Sequence, residues 1–232
     1  MEKIDLKQKE KVWFISDTHF HHPSILYFHP SRREACGITL DELRENKELA
    51  VEKHDQWLIN LWNTTIGKRD TVYILGDFCL GNKEVTEKIL RQLHGKKFLI
   101  RGNHDKSLKG LENYFQYVGD IKEAKFSHQQ FPFIDENETF CIEMCHYPLV
   151  AWNRRTHGTA MVHGHTHGAT DKLNIDSKEL RIDIGLDSTL SKYSIIGLET
   201  LYNYLKAIRD NAKCQTFQEY VEKLMEEQGF RM

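Results

Sequence analysis

Short apolar runs, each followed at once by polar residues, recur along this 232-residue chain, and three of them alternate with helical patterns in the first hundred residues. Apolar runs this short, bounded by turn residues, are typical of buried β-strands. The order strand, helix, strand, helix, strand builds parallel βαβ units with right-handed crossovers. The sequence therefore predicts an α/β fold. The predicted strands are Val12–Ser16, Thr71–Leu75 and Phe98–Ile100.

The helical patterns between these strands carry start signals. Thr39 and Glu42 have capping-box spacing, and we expect them to open one long amphipathic helix whose apolar stripe extends to Trp62. Asn82 is suited to cap a second helix, Lys83–Leu93, which ends shortly before a glycine.

The second half of the chain differs, because its predicted strands are joined by loops. They indicate a second, more mixed sheet, and two amphipathic helices follow it. The predicted strands are Lys125–Gln130, Thr139–Cys145, Ala160–His163 and Arg181–Leu186, and the helices are Glu199–Asp210 and Phe217–Glu227. With no repeat and no Pro/Gly-rich linker, we expect a single domain over residues 1–232, with a motif core of about 11–190 and C-terminal helices at about 199–228.

Composition excludes several classes of protein. The net charge of -2 gives no global field that would attract nucleic acid or a membrane surface. The segment Met1–Lys11 is charged and lacks the apolar stretch of a signal peptide, and no apolar run approaches a membrane span. Five scattered cysteines without CxxC spacing predict free thiols in a reducing compartment, and so a cytoplasmic location.

Five polar motifs follow the apolar runs, and they are rich in residues that bind divalent cations. Asp, Asn and His supply oxygen and nitrogen ligands, and the 13 histidines of the chain concentrate around the motifs. Because ligand sites of sheet-based α/β folds form at the carboxyl ends of strands, we expect these side chains to converge. The candidate ligands are Asp17, His19, Asp77, Asn103, His146, His165 and His167.

The number and spacing of these ligands favour a pair of ions. Asp17 and His19 are separated by one residue, so both project to the same side of an extended segment, and His165 and His167 repeat that spacing. Seven ligands exceed the four of a tetrahedral zinc and suit two ions sharing one carboxylate, for which Asp77 is well placed. Two ions about 4 Å apart clamp a phosphoryl group and lower the pKa of a bridging water, which gives hydroxide near neutral pH.

The motifs Asp-x-His, Gly-Asp, Gly-Asn-His-Asp, a lone His and Gly-His-x-His, in this order from Asp17 to His167, resemble those of the calcineurin-like metallophosphoesterases. The stretch Gly185-Leu186-Asp187 further resembles the tail of small bacterial members. The resemblance implies a four-layer α/β/β/α sandwich, with two mixed sheets flanked by helices. It also implies two divalent metal ions, with manganese as the first choice and iron, zinc or nickel as alternatives.

The resemblance implies roles for individual residues. Asp77 would bridge the two metals. His104 would lie beside them and stabilise the phosphoryl group or protonate the leaving oxygen. The first metal would be held by Asp17, His19, Asp77 and His167, and the second by Asp77, Asn103, His146 and His165.

One position departs from the pattern. Phosphoprotein phosphatases of this superfamily carry a further Asp three residues after the bridging one, where it orients the catalytic histidine. Leu80 stands at that position here. We expect Asp105 to orient His104 instead, and the departure argues against a Ser/Thr protein phosphatase.

Each motif also has a plainer alternative. Asp17 alone could be a turn residue, Asn103 a left-handed turn residue or helix cap, and His146 a structural residue at a strand end. The complete set in order favours ligands. His163, two residues before His165, is expected to be a packed histidine rather than a ligand.

Substrate contacts are less clearly marked. From a wider set of basic residues that includes Arg32, we select His22 and Arg154 as candidates to bind the substrate phosphate, with a solvated surface role as the alternative. Trp152 is expected either in the core or at the mouth of the site.

The leading interpretation is a metal-dependent hydrolase of phosphodiester or phosphomonoester bonds, acting through a hydroxide that bridges two metals on a phosphorylated small molecule or nucleotide. A nuclease or RNA-end-processing enzyme is the alternative. It requires a basic groove, and the near-neutral charge does not indicate nucleic acid. A non-catalytic scaffold ranks last because all motif positions are intact. No membrane contact is expected, and the substrate and oligomeric state stay open.

Overall fold

The computed structural model describes residues 10–176 and 179–210. The strands are β1 (Val12–Ile15), β2 (Thr71–Ile74), β3 (Lys96–Ile100), β4 (Phe115–Gly119), β5 (Ile121–Ser127), β6 (Thr139–Cys145), β7 (Ala160–His163), β8 (Arg181–Asp183) and β9 (Ile196–Gly197). The α-helices are α1 (Ile25–Phe28), α2 (Pro30–Ala35), α3 (Leu40–Glu45), α4 (Lys47–Thr65), α5 (Lys83–Leu90), α6 (Asp171–Asp176) and α7 (Leu198–Asp210). Short 3₁₀ helices span Asp105–Leu108, Glu112–Tyr114 and Arg155–His157.

The first sheet has the strand order β4-β3-β2-β1-β9. Strands β1 to β4 are parallel, and β9 runs antiparallel beside β1. Phe14 pairs with Tyr73, and Tyr73 pairs with Phe98, so three aromatic rings lie side by side on one face. The predicted parallel βαβ arrangement of the first hundred residues is confirmed.

The second sheet has the order β5-β6-β7-β8 and is mixed, as predicted. Strands β5 and β6 form an antiparallel pair, while β6, β7 and β8 are parallel. The predicted bounds of β6 and β7 agree with the structure. The prediction of a strand over Lys125–Gln130 was wrong in its bounds, because β5 begins at Ile121 and its pairing with β6 ends at Ser127.

The two sheets face each other across an apolar core. Phe14 and Tyr73 of the first sheet belong to the same buried cluster as Ile142 and Val162 of the second. All four are almost completely shielded from solvent. Because strand side chains alternate between faces, the neighbours of these residues point outward and need separate cover.

Helices supply that cover on both outer faces. Ile74 of the first sheet packs with Trp62 of α4 and Ile89 of α5. On the second sheet, Met161 packs against Trp152, and the loop and helix α6 that follow complete the layer. The order is helix, sheet, sheet, helix, so the predicted α/β/β/α sandwich of two mixed sheets is confirmed.

The prediction of one long helix from Thr39 to Trp62 was wrong. The capping box of Thr39 and Glu42 is present, but α3 ends at Glu45 and α4 begins afresh. Asn46 causes the break: its backbone N–H still donates to the carbonyl of Glu42, while its side-chain oxygen accepts the N–H of Leu49 at 3.0 Å. Asn favours this N-cap position, so one helix ends here and a second begins.

Several short elements were not predicted. Helices α1 and α2 have four and six residues, which is too few for a helical period to show in the sequence. The predicted helix at Glu199–Asp210 is present as α7, whereas Phe217–Glu227 lies outside the described residues. The single domain over residues 1–232 stays a prediction.

Two further observations concern location. Across residues 10–176 and 179–210, no helix is long and apolar enough to cross a membrane. Cys36, Cys79, Cys141 and Cys145 are free thiols, as expected. The cytoplasmic location stays a prediction.

The inter-sheet core should carry much of the stability. We predict that Ile142→Ala, which empties a fully buried position of β6, lowers the free energy of unfolding by about 2–5 kcal/mol. Ile121→Ala on the paired strand β5, where the side chain is 49% exposed, should cost less than about 1 kcal/mol. Urea denaturation followed by circular dichroism measures both, and equal losses would contradict this account of the core.

Candidate metal centre

The polar motifs lie together at the carboxyl ends of strands from both sheets. Asp17 follows β1, Asp77 follows β2, and Asn103 follows β3. His146 directly follows β6, and His165 follows β7. A parallel bridge between the residues after β1 and β8, Ser16 and Gly185, joins the two sheets at this edge. The sandwich therefore brings loops from both sheets to one place.

Asp17, His19 and His167 form a first group. Their ligand atoms lie close enough to hold one ion. The Nε2 atoms of His19 and His167 are 3.3 Å apart, and each lies 3.9 Å from Oδ1 of Asp17. Asp17 and His19 are buried, while His167 is partly exposed.

Asp77, His146 and His165 form a second group with the same property. The rings of His146 and His165 meet edge to face at 5.0 Å. Oδ1 of Asn103 lies 3.1 Å from Nε2 of His146, which adds a fourth ligand atom on this side.

The carboxylate of Asp77 lies between the two groups. Its Oδ2 is 3.8 Å from Nε2 of His19, and its Oδ1 is 3.5 Å from Nε2 of His146. The two oxygens of one side chain therefore face different groups. This is the geometry that a shared carboxylate requires, although the ligand roles themselves stay predictions.

Five of the seven candidate ligands have positive φ, which side chains other than glycine rarely adopt. Such residues cost about 1–3 kcal/mol each and persist where the surrounding structure holds them, often at functional sites. The residues and their φ values are Asp17 (57°), His19 (49°), Asp77 (51°), His165 (69°) and His167 (48°). The surrounding structure therefore holds these five backbone positions in an unfavourable conformation that directs their side chains.

Two glycines allow the loops to approach each other. A Cβ at Gly164 would lie 2.0 Å from Oγ of Ser16 and 2.4 Å from Oδ2 of Asp17. A Cβ at Gly102 would lie 2.4 Å from Oδ1 of Asp77. Both glycines are therefore required by the close packing of the carboxylates and not by a special backbone angle.

Hydrogen bonds fix which histidine nitrogens face the centre. Nδ1 of His146 lies 2.7 Å from the carbonyl oxygen of Leu75, and since a carbonyl only accepts, Nδ1 carries the proton. Its Nε2 then presents a lone pair to Oδ1 of Asn103 and Oδ1 of Asp77, which are acceptors too. Acceptor atoms facing one another need a cation between them, so the residues present fit a metal ion.

Charge leads to the same conclusion. Five buried carboxyl groups surround the centre, and among the described residues Arg32 is the only buried side-chain cation beside them. Five carboxylates against one guanidinium leave four negative charges, which two divalent cations would neutralise. The carboxyl groups belong to Asp17, Asp77, Asp105, Asp183 and Asp187.

The pKa values reflect this crowding. Burial raises the pKa of Asp17 to about 6 and also raises the pKa of Asp105. Burial lowers the pKa of His19 well below its ordinary value and lowers the pKa of His165, which keeps both rings neutral as metal binding requires.

Of the candidate catalytic and substrate-binding residues, two lie beside the centre and one, Arg154, does not contact it among the residues that the structure describes. His104 is exposed, its backbone N–H donates to Oδ1 of Asp77 at 2.9 Å, and its ring lies 6.0 Å from that of His19. The ring of His22 lies 5.3 Å from that of His19, so it is also beside the centre. Arg154 is exposed on the loop before the last 3₁₀ helix, and no contact between it and the two groups is seen within the described residues. Its substrate role stays a prediction.

The expectation that Asp105 orients the His104 ring was wrong. The Asp105 carboxylate instead accepts the backbone N–H groups of Asp77, Phe78 and Gly102 at 3.1, 2.8 and 2.7 Å. It is a short side chain at the start of a 3₁₀ turn, and both of its oxygens accept these backbone donors. It therefore stabilises the loop that presents Asp77.

Two neighbouring residues agree with the plainer expectations. His163 is fully buried on the outer face of β7, where it contacts Asn174 of α6, so it is a packed histidine. Trp152 is 9% exposed and donates from Nε1 to the carbonyl of Thr159, so it lies in the core and not at the mouth.

Two residues that support the centre were missed as such from the sequence. The Asp187 carboxylate accepts from Nδ1 of His167 at 2.6 Å, and the guanidinium of Arg32 forms a fork on the same carboxylate. Burial alone would raise the pKa of Asp187, but the bond from His167 and the charge of Arg32 outweigh it and hold the pKa at about 2. Arg32 was considered only as a phosphate contact. Asp187 follows the β8 run as the other motifs follow theirs, and that signal was available.

Comparison with known proteins decides the family. The family model of the calcineurin-like phosphoesterases matches residues 10–179 of this chain. The chain belongs to this family. Membership implies a metal-dependent phosphoesterase in general, typically with two metal ions, and it confirms the resemblance found in the motifs.

Individual relatives of this calcineurin-like phosphoesterase are distant. The Gene 66 protein of Mycobacterium phage D29 is 27% identical over 196 residues, which cover 76% of this chain and 88% of the phage protein. An uncharacterized protein of Methanocaldococcus jannaschii is 34% identical over 98 residues, which cover 41% of this chain and 47% of the archaeal protein. A solved protein of unknown function from Aquifex aeolicus has a TM-score of 0.56 at 22% identity, and the match covers 84% of this chain and all of that one. It shows a shared fold alone.

The close approach at Gly164 generates a prediction. Gly164→Ala should displace the Asp17 carboxylate, because the new methyl group would overlap it, and so should weaken metal binding at the first group by about tenfold or more and lower the metal content after desalting. Gly158→Ala adds a methyl group into open space and is the control: it has positive φ and should lose stability without losing metal. Elemental analysis of folded protein measures the metal content of both variants. Full metal retention by Gly164→Ala would contradict the close approach of Gly164 to Asp17.

Proposed function

We propose that this chain hydrolyses a phosphomonoester or phosphodiester bond of a small phosphorylated molecule or nucleotide. The observation that carries the proposal is the Asp77 carboxylate, whose two oxygens face two separate groups of ligands. Two adjacent cation sites that share a carboxylate suit phosphoryl chemistry, because a phosphate ester carries several oxygens to be bound at once.

The residues divide between the ions as their positions suggest. Asp17, His19 and His167 would hold one ion, and Asn103, His146 and His165 the other, with Asp77 shared. When bound, the ions would supply positive charge for the phosphoryl oxygens and activate the attacking water. Manganese is our first choice among ions that accept oxygen and nitrogen ligands, with iron, zinc and nickel as alternatives.

His104 is the candidate acid. Its backbone N–H donates a hydrogen bond to Oδ1 of Asp77 at 2.9 Å, which holds the residue beside the shared carboxylate. Its side chain is exposed and borders the centre beside His19, where a leaving-group oxygen would lie. From there the ring can donate a proton to that oxygen or a hydrogen bond to the phosphoryl group.

His22 is the candidate contact for the substrate phosphate. It is partly buried and lies against His19 on the same side as His104. An imidazole N–H there can donate to a non-bridging oxygen without adding another fixed charge. Arg154 is retained as a second candidate because it lies on the loop between His146 and His165.

The negative charge of the centre gives a direct test by metal removal. Without cations, the buried carboxylates repel an anionic substrate. The ions that would activate the attacking water are then also absent. We predict that protein loaded with Mn²⁺ cleaves p-nitrophenyl phosphate or its bis ester, that EDTA abolishes the activity, and that added Mn²⁺ restores it. Release of p-nitrophenol measures the rate. Failure on both esters with Mn²⁺, Fe²⁺, Zn²⁺ and Ni²⁺ would contradict the proposal.

A second prediction separates chemistry from metal binding. His104→Ala should lower kcat by about 10²- to 10⁴-fold, as loss of a general acid does, while two metal ions remain bound. His157→Ala removes an exposed histidine of the last 3₁₀ helix and should leave both quantities unchanged. Rates and elemental analysis on the same samples provide the comparison. Equal rates for the two variants would exclude His104 from the reaction.

A further inference from the structure

Arg32 is a fully buried cation at the edge of the candidate metal centre, and its partners are specific. It has no exposed surface. Its guanidinium donates to the backbone carbonyls of Asp17 and Thr18 at 2.9 and 3.2 Å, and Nε donates to Oδ1 of Asp187 at 2.8 Å. A second nitrogen reaches Oδ2 of Asp187, so the pair is bidentate. Such a fork fixes direction as well as distance.

Asp187, held in place by Arg32, in turn orients the candidate ligand His167. Its Oδ2 accepts from Nδ1 of His167, so Nδ1 carries the proton and Nε2 points toward His19 and Asp17. The ring of His29 stacks on the other side of His167 at a centroid distance of 4.5 Å. The orientation of His167 is thus determined by residues from two distant segments, α2 with the residue before it and the loop after β8.

Arg32 and Asp187 contact two different members of the first group. One contact is to the backbone of Asp17, and the other is to the ring of His167. Asp17 and His167 are candidate ligands of the same group. Removing the pair would release the Asp17 backbone carbonyl and the His167 ring, while the Asp17 carboxylate would still accept the N–H of His165.

The second group is held by different means. His146 is oriented by the carbonyl of Leu75, and the Asp77 loop is held by Asp105. In the described part of the chain, no hydrogen bond joins Arg32 or Asp187 to Asn103, His146 or His165. The side chains that orient His167 therefore differ from those that support the second group, although the N–H of His165 also donates to the Asp17 carboxylate at 3.0 Å.

We propose that Arg32 and Asp187 are positioning residues that determine how tightly the first of the two metal ions is held, and that they act on the first ion more strongly than on the second. The inference rests on the proposed two-metal function. It predicts that a change at this pair converts a site for two ions into a site for one, whereas loss of an Arg–Asp pair on the surface does not.

The test uses the full chain, stripped with chelator, reloaded with Mn²⁺ and desalted. Asp187→Asn should reduce bound Mn²⁺ from two ions to one per chain and weaken the first site by about ten- to a hundredfold, the range for lost support of a metal ligand. Its electron paramagnetic resonance spectrum should change from that of a coupled pair to that of an isolated ion. Arg32→Lys keeps the charge but cannot form the fork, so it should weaken the same site by a smaller factor.

Asp120→Asn is the matched control. Asp120 forms an equally bidentate pair with Arg101, at 2.8 and 3.0 Å, but on the surface beside the end of β3. This variant loses an Arg–Asp fork without touching the first group, and it should keep two ions and the coupled spectrum. Thermal unfolding of every variant separates loss of metal from loss of fold, and if Asp187→Asn does not fold, Arg32→Lys carries the test.

Three results would overturn the inference. Two ions held with parent affinity in folded Asp187→Asn and Arg32→Lys would show that the pair does not support the site. Simultaneous loss of both ions would show a general structural role. A third ion in the parent would assign His29, His167 and Asp187 to a metal site of their own. A parent that binds two ions but cleaves no ester would refute the proposed activity and leave this inference standing.

Discussion

The carboxylate of Asp77 lies between two groups of candidate ligands, and hydrogen bonds from the surrounding loops hold it there. Its own N–H and those of Phe78 and Gly102 converge on Asp105, which joins the ends of β2 and β3. The N–H of His104 closes the same loop onto the Asp77 carboxylate. Because β2 and β3 are parallel neighbours, their carboxyl ends are already adjacent, and one buried acid is enough to connect them.

Much of this centre could be predicted from the sequence for a simple reason. Apolar runs mark where strands lie, parallel strands end at one edge, and a polar residue just past each run must then lie at that edge. Asp17, Asp77 and His146 satisfy this rule, and the structure brings them together as expected. The order of the motifs supplied the family, which the family match then confirmed.

The contacts that support the centre were beyond such reasoning, although the position of Asp187 after the β8 run was visible. Arg32 and Asp187 are 155 residues apart, and nothing local in either segment indicates that they form a pair. Asp105 is next to His104 in the chain, which suggested a contact with its ring, but its carboxylate accepts the backbone N–H of Gly102 on the same loop and those of Asp77 and Phe78 on another. Side-chain contacts of this kind depend on how two sheets are packed, and periodicity carries no information about that.

Fold errors had a related cause. The apolar stripe that extends to Trp62 continues through Asn46, so the pattern alone favours one helix, while the side chain of Asn46 favours an N-cap. The cap is what the structure contains. Helices α1 and α2 were missed because they are short, yet α2 brings Arg32 into the core, so the element with the weakest sequence signal carries a buried charge.

Strain and charge at the centre act in the same direction. Five non-glycine residues with positive φ, at about 1–3 kcal/mol each, and an excess of four negative charges both oppose folding of this edge in the absence of cations. The apolar core between the sheets offsets that cost, since it is built from strands that need no metal. Bound cations would neutralise the carboxylates and stabilise the folded form by mass action, so metal affinity and the stability of this edge are two measures of one free energy. A centre arranged in this way would bind its ions tightly, because the folded protein already holds the candidate ligands in place.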